Sequence, residues 1–118
     1  MKNKILILAG DPNSINSEII SKVWAKTNKS IKNRLYLIAN YNLINKQLKK
    51  IKSRTPLVKV KKLNEKLQTN KLKIIDIPLE FENPFSVPLK NSKQYIIRSL
   101  NLAHKLAEKN EIKGFINC

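Results

Sequence analysis

An α/β fold, a mostly parallel sheet with helices on its faces, is what this sequence predicts, and three observations predict it. Short uninterrupted apolar runs alternate with longer runs that carry apolar residues at helical spacing. The first run, KILILA, is apolar without alternation, the pattern of a strand buried on both faces. The chain of 118 residues is 42% hydrophobic, enough for one core and too short for two domains. No internal repeat is present.

The elements follow in order. Residues 4–9 (KILILA) form the first strand, and the turn GDPNSIN follows. A helix is expected from residue 17 to about 27, with Ile19, Ile20, Val23, Trp24 and Thr27 on one stripe. Asn16 can serve as its N-cap, with Ser17 as the first helical residue. Residues 35–39 (LYLIA) are a second strand. Residues 41–53 are a second helix, with Ile44, Leu48 and Ile51 facing inward. Residues 57–60 follow Pro56 as a short strand, and residues 73–77 (KIIDI) are another, ended by Pro78.

The segment PLEFENPFSVPLKNS carries three prolines, which remove donors and fix φ. It reads as a loop that packs its phenylalanines onto the body. Asn91 or Ser92 can cap a long helix to about residue 109, with Ile96, Ile97, Leu100, Ala103 and Ala107 inward. Residues 110–113 make a turn into a last strand, GFINC, whose Cys118 reads as a small buried hydrophobe. Such a strand gives the expectation that residues 1–118 are a single α/β segment, the N-terminal part of a longer chain.

The charge is extreme, with 24 basic against 8 acidic residues and a formal net charge of +16. Clustered basic side chains suit nucleic acid, because they release condensed counterions on meeting phosphates. The texture favours another origin. Only Arg34, Arg54 and Arg98 are arginine, the residue preferred for bidentate contacts to phosphates or guanine. The lysines are spread along the chain among asparagines and isoleucines, a composition that genome drift produces. The densest basic segment is residues 46–62 (KQLKKIKSRTPLVKVKK). It reads as a solvated helix face and an edge strand, with a phosphate-binding surface as the alternative.

One cysteine excludes an internal disulfide framework. No apolar run approaches the roughly 20 residues of a membrane span. MKNKILILAGD has a basic start but neither the h-region length nor the cleavage site of a secretion signal, so a cytoplasmic location is expected.

The opening turn, AGDPNSINSE, carries the chemistry. A glycine directly after a buried strand lets the backbone turn sharply and approach a ligand. The next helix starts within a few residues, and its free N–H groups and positive dipole end suit an anion. The turn is neither a Rossmann fingerprint nor a P-loop, because the repeated glycines and the lysine are missing. Asp11 can equally cap its own turn and Pro12 can stiffen it. His104 stands alone on a helix without a second ligand at metal spacing. Glu80 and Glu82 could pair as acid and base, but their neighbours supply no nucleophile or metal partner.

The run I-L-A-G-D-P-x-x-I-x-x-E resembles the N-terminal signature of the 4-hydroxythreonine-4-phosphate dehydrogenase family, which opens with a strand and then G-D-P-A-G-I-G-P-E. Gly10, Asp11, Pro12, Ile15 and Glu18 match in register. Ser14 and Asn16 stand where the family has its two later glycines, and Ser17 where it has a second proline. The run NSKQYIIRSLNLAHKLAEKNEIKGFINC resembles the family's long helix and the strand after it. The resemblance covers essentially the whole chain but only about the first third of a usual member.

The resemblance implies an NAD-dependent, metal-assisted oxidoreductase of pyridoxal phosphate (vitamin B6) biosynthesis. It implies oxidation of the secondary alcohol of a phosphorylated hydroxyamino acid, after which the β-keto acid decarboxylates. The implied fold is similar to that of the isocitrate and isopropylmalate dehydrogenases, with a cleft completed across a homodimer. Gly10, Asp11, Pro12 and Ile15 are then the loop bordering the cofactor cleft. The metal-binding histidines and the histidine–threonine pair for the substrate phosphate lie beyond the matched segment. No catalytic or metal-binding residue is therefore expected within residues 1–118, and the chain alone is expected to be inactive. The alternative function is a small basic nucleic-acid-binding module acting through residues 46–62.

Overall fold

A computed structural model describes residues 4–63, 70–109 and 112–118. Five strands form one all-parallel sheet in the order β3-β4-β2-β1-β5. They are β1 (Ile5–Leu8), β2 (Leu35–Ala39), β3 (Leu57–Val60), β4 (Leu72–Asp76) and β5 (Gly114–Asn117). The helices among the described residues are α1 (Asn16–Lys26), α2 (Lys29–Lys32), α3 (Tyr41–Lys50) and α4 (Leu89–Glu108).

The period-2 geometry of the central strand divides the core. Tyr36 and Ile38 of β2 join Leu6, Leu8, Tyr95 and Ala103 in the layer under α4. Leu35, Leu37 and Ala39 face the other way, onto Ile20 and Trp24 of α1 and Ile44 and Leu48 of α3. All five residues of β2 are buried, as expected of a central parallel strand covered on both faces. Lys73 of β4 is buried too. Its Nζ donates to the Asn33 carbonyl at 2.8 Å and lies 4.2 Å from the Tyr36 ring centroid. Burial, and after it the nearby Lys4, hold this ammonium below the usual lysine pKa.

Several expectations shift by a physical cause. The inward stripe of α1 is Ser17, Ile20, Ser21 and Trp24, whereas Ile19 and Val23 are exposed. Two serines occupy inward positions, so the apolar count misplaced the face. Asn16 does not cap α1: it is the first helical residue and turns its Nδ2 back to the Ala9 carbonyl at 3.0 Å. In α4, Tyr95, Ser99 and Ala103 face inward and Ile97 is exposed. This helix starts at Leu89 after Pro88, earlier than Asn91, without a side-chain cap.

The helix α3 stops at Lys50, because Lys52 takes a left-handed conformation (φ 58). The Ser53 N–H then reaches the Leu48 carbonyl at 2.9 Å and the Lys52 N–H the Lys49 carbonyl at 3.1 Å, a Schellman closure. The short helix α2 was not anticipated, although Asn28 caps it through the Ile31 N–H at 2.9 Å. Of the loop phenylalanines, Phe81 packs on the α4-side core and Phe85 is exposed. Cys118 is exposed rather than buried, since β5 pairs only with β1 and forms the sheet edge. Desolvation still raises its thiol pKa, which makes it a poor nucleophile at neutral pH. The turn expected at 110–113 lies partly outside the described residues. Among the described residues, no helix is long and apolar enough to cross a membrane.

Candidate functional site

In open α/β sheets ligands sit outside the carboxyl ends of the strands, where neighbouring strands send their connections to opposite faces. Here β2 leads into α3 on one face, and its neighbour β4 leads towards α4 on the other. That switch point is closed. Asn40, the N-cap of α3, accepts the Leu43 N–H at 3.0 Å and donates Nδ2 to the Ile77 carbonyl at 2.8 Å. Its own N–H donates to the Tyr95 hydroxyl at 2.9 Å. Asp76 accepts the Tyr41 N–H at 2.8 Å. Tyr95 is therefore a buried hinge between the layers. Desolvation, opposed by the Asn40 hydrogen bond and reinforced by Asp76, pushes its phenol well above the ordinary value of 10.0.

The opening turn lies at the same pole, directly after β1. Gly10 has φ +75, a left-handed conformation that glycine adopts without penalty. A Cβ there would lie 2.4 Å from the Cys118 carbonyl oxygen and 2.8 Å from Asn16 Nδ2. Glycine is thus demanded twice, by φ and by the closeness of β5. Asp11 is exposed and closes its own turn: Oδ1 accepts the Asn13 N–H at 2.9 Å, and its carbonyl accepts the Ser14 hydroxyl at 2.6 Å. Pro12 is buried, and Ile15 is 66% exposed.

Two residues that the motif does not single out fix the turn in place. Asn13 makes a reciprocal pair with Val87 in the proline-rich loop, donating Nδ2 at 2.9 Å and accepting through Oδ1 at 2.7 Å. Gln47, buried on α3, donates Nε2 to the carbonyls of Pro12 at 2.8 Å and Pro84 at 2.7 Å. A polar residue on the inward stripe of α3, between Ile44 and Ile51, is the sequence signal that could have revealed it. Ser17, which replaces the apolar proline of the family signature, has a buried hydroxyl without a hydrogen-bond partner among the described residues.

Electrostatically the turn is acidic. It carries Asp11 and, in the first turn of α1, Glu18, with no cation between residues 9 and 18. Glu18 already occupies the positive end of the helix dipole and pairs with Lys22 at 3.3 Å. The phosphates of a dinucleotide therefore find no charged partner in this turn. A metal fits no better. Among the described residues, no group of three His, Cys, Asp or Glu is placed to hold one. His104 is exposed on α4 and stacks edge-on against Phe115, with centroids 5.4 Å apart. Glu80 and Glu82 are both exposed. A recess of about 260 Å³ flanks this pole between Pro78, Glu80, Asn91 and Arg98. In the basic segment 46–62 the lysines are exposed, on the outer side of α3, the loop after it and the edge strand β3. Lys46 lies over the Phe81 ring and Lys59 over Tyr41.

Comparison with known proteins bears on the fold. No protein-family model matches the chain, and no curated protein sequence does. Solved structures do. The chain is similar to a protein assigned as a 4-hydroxythreonine-4-phosphate dehydrogenase from Salmonella typhimurium, with a TM-score of 0.82 and 18% identity over 99% of this chain and 37% of the other. The 4-hydroxythreonine-4-phosphate dehydrogenase of Klebsiella pneumoniae gives 0.80 and 18% identity, with the same coverage of both chains. That of Burkholderia phymatum gives 0.63 and 18% identity, over 89% of this chain and 34% of the other. The fold is that of part of these dehydrogenases, and the chain spans little more than a third of their length.

Proposed function

We propose that the chain is the front portion of a cytoplasmic, NAD-dependent dehydrogenase acting on a phosphorylated hydroxyamino acid, as in vitamin B6 synthesis. One coincidence supports this reading. A structure that superposes over 99% of its length on dehydrogenases named for that reaction also carries, at the carboxyl end of β1, the Gly-Asp-Pro turn through which the sequence resembles that family.

On this reading the turn is a shaped wall of the cleft. Gly10 sets its bend, Pro12 and Asn13 lock it against the neighbouring loop, and Ile15 is left facing outward. NAD, when bound, supplies the acceptor for the hydride of the alcohol. The charged contacts to its phosphates, the ligands of a divalent metal and the base that takes the alcohol proton come from outside these residues. They belong to the remainder of a longer chain and to the second subunit of a homodimer.

The test compares two proteins, the product of the whole reading frame and the 118-residue chain. Each is supplied with 4-phosphohydroxy-threonine, NAD and a divalent metal, and NADH is followed by absorbance. The whole product is expected to turn over and the 118-residue chain to be inactive. Turnover by the short chain, or none by a whole product with an intact fold, contradicts the proposal.

A further inference from the structure

A cavity lies at the other pole of the sheet. Its floor is Trp24, near the end of α1, which starts at the carboxyl end of β1 and has run back across the sheet by that point. Its walls come from residues that lead into strands: Lys32 of α2 ahead of β2, Arg54, Thr55 and Pro56 ahead of β3, and Asn70 ahead of β4. It is therefore an amino-end cavity, away from the Gly10 turn.

Its volume is about 550 Å³, within the roughly 300–1,000 Å³ usual for small-molecule sites. Ile51 and Pro56 supply apolar surface, and the buried Trp24, 4% exposed, lies directly beneath it. One wall is stiffened by hydroxyls. Ser21 Oγ bonds to Ser53 Oγ and, at 2.8 Å, to Thr55 Oγ1, while Ser53 and Thr55 are 3.1 Å apart. Three hydroxyls in a closed triangle use their protons on one another, so the wall offers shape more than donors.

The rim is cationic. Lys22, Lys32 and Arg54 face one carboxylate, Glu18, which Lys22 already engages. Lys32 Nζ lies 5.1 Å from the Trp24 ring centroid, so a cation sits over the aromatic floor. An apolar base with a positive rim selects one ligand chemistry.

We propose that this cavity is a binding site for a small amphipathic anion whose apolar body lies against Ile51 and Pro56, beside the buried Trp24, and whose acid group meets Lys32 and Arg54. The site is separate from the carboxyl-end cleft and does not depend on the dehydrogenase reading.

Trp24 is the chain's only tryptophan, so its fluorescence reports on the cavity directly. The experiment titrates the 118-residue chain with 1-anilinonaphthalene-8-sulfonate and, in parallel, with neutral N-phenyl-1-naphthylamine. Energy transfer from Trp24 is read together with backbone amide NMR shifts. The sulfonate is expected to saturate at one per chain, with shifts confined to residues 18, 21–25, 32, 51–56 and 70. Because the acid group loses both of its cationic partners, a Lys32→Gln/Arg54→Gln double variant should bind the sulfonate at least about tenfold more weakly. Its affinity for the neutral probe should stay unchanged. The single variants serve if the double variant does not fold. Equal affinity for both probes, non-saturating uptake, shifts centred on residues 10–16, or no loss in these variants would overturn the proposal.

Discussion

The two poles of the sheet differ in how they spend their polar groups. At the carboxyl pole nearly every one is matched within the chain: Asn13 to Val87, Gln47 to two carbonyls, Asn40 to Ile77, Leu43 and Tyr95. At the amino pole the Ser21, Ser53 and Thr55 hydroxyls bond to one another, and Ser53 Oγ also accepts the Thr55 N–H, beside an open cavity with a cationic rim. The recognisable motif lies at the closed pole, and the cavity lies at the pole without one. A signature can thus survive as a structural joint, while a cavity assembled from loop ends leaves no signature.

The sharpest way to break this comparison is at Gly10. Gly10→Ala puts a Cβ into the Cys118 carbonyl and forces an L-residue to φ +75. Strain and overlap together predict a loss of about 2–5 kcal/mol, measured by urea unfolding. A loss below that range would mean that β5 does not press on the turn.

Gln47→Ala removes the donor shared by the Pro12 and Pro84 carbonyls. Leaving buried acceptors unsatisfied predicts a loss of roughly 2–4 kcal/mol, with the m-value unchanged. A near-neutral result would show that water enters this joint, which erases the contrast between the poles.

Tyr95 supplies the pH test. Its folded-state pKa is raised, so the folded chain keeps a proton that the unfolded chain gives up above the ordinary value of 10.0. Its contribution is complete below that pH and is lost as pH climbs beyond it. Tyr95→Phe should flatten this alkaline decline. At neutral pH it should cost about 1–3 kcal/mol, because the Asn40 N–H loses its acceptor.

The smallest effect belongs to the amino pole. Lys52 holds a left-handed conformation that costs an L-residue about 1–2 kcal/mol, so Lys52→Gly should stabilise the chain by up to about 1 kcal/mol. Thermal unfolding would show a small rise in Tm, while a fall would mean that the lysine side chain contributes packing there.

Legibility in the sequence tracked burial. β2 falls on a continuous apolar run, because a strand covered on both faces must be apolar on both; the edge strand β3, with Lys59 exposed, was marked instead by the Pro56 before it. Helix faces were read less well. Ile19, Val23 and Ile97 are apolar yet exposed, while Ser17, Ser21 and Ser99 point inward, and small hydroxyls carry no periodic signal. The Gly-Asp-Pro turn was legible as a motif. What holds it was not, since Asn13 and Gln47 act on residues 35 or more positions away. The amino-end cavity was invisible for the same reason, its lining being drawn from separate stretches of the chain.

Native-state hydrogen exchange at the Val87 amide tests the closed pole most directly. This N–H lies in a proline-rich loop, and its acceptor is the Asn13 side chain at 2.7 Å. A turn locked to that loop predicts protection approaching that of the β2 amides, and loss of that protection in Asn13→Ala. Exchange at the rate of an exposed loop, unaffected by Asn13→Ala, would mean that the opening turn is not held by the chain itself.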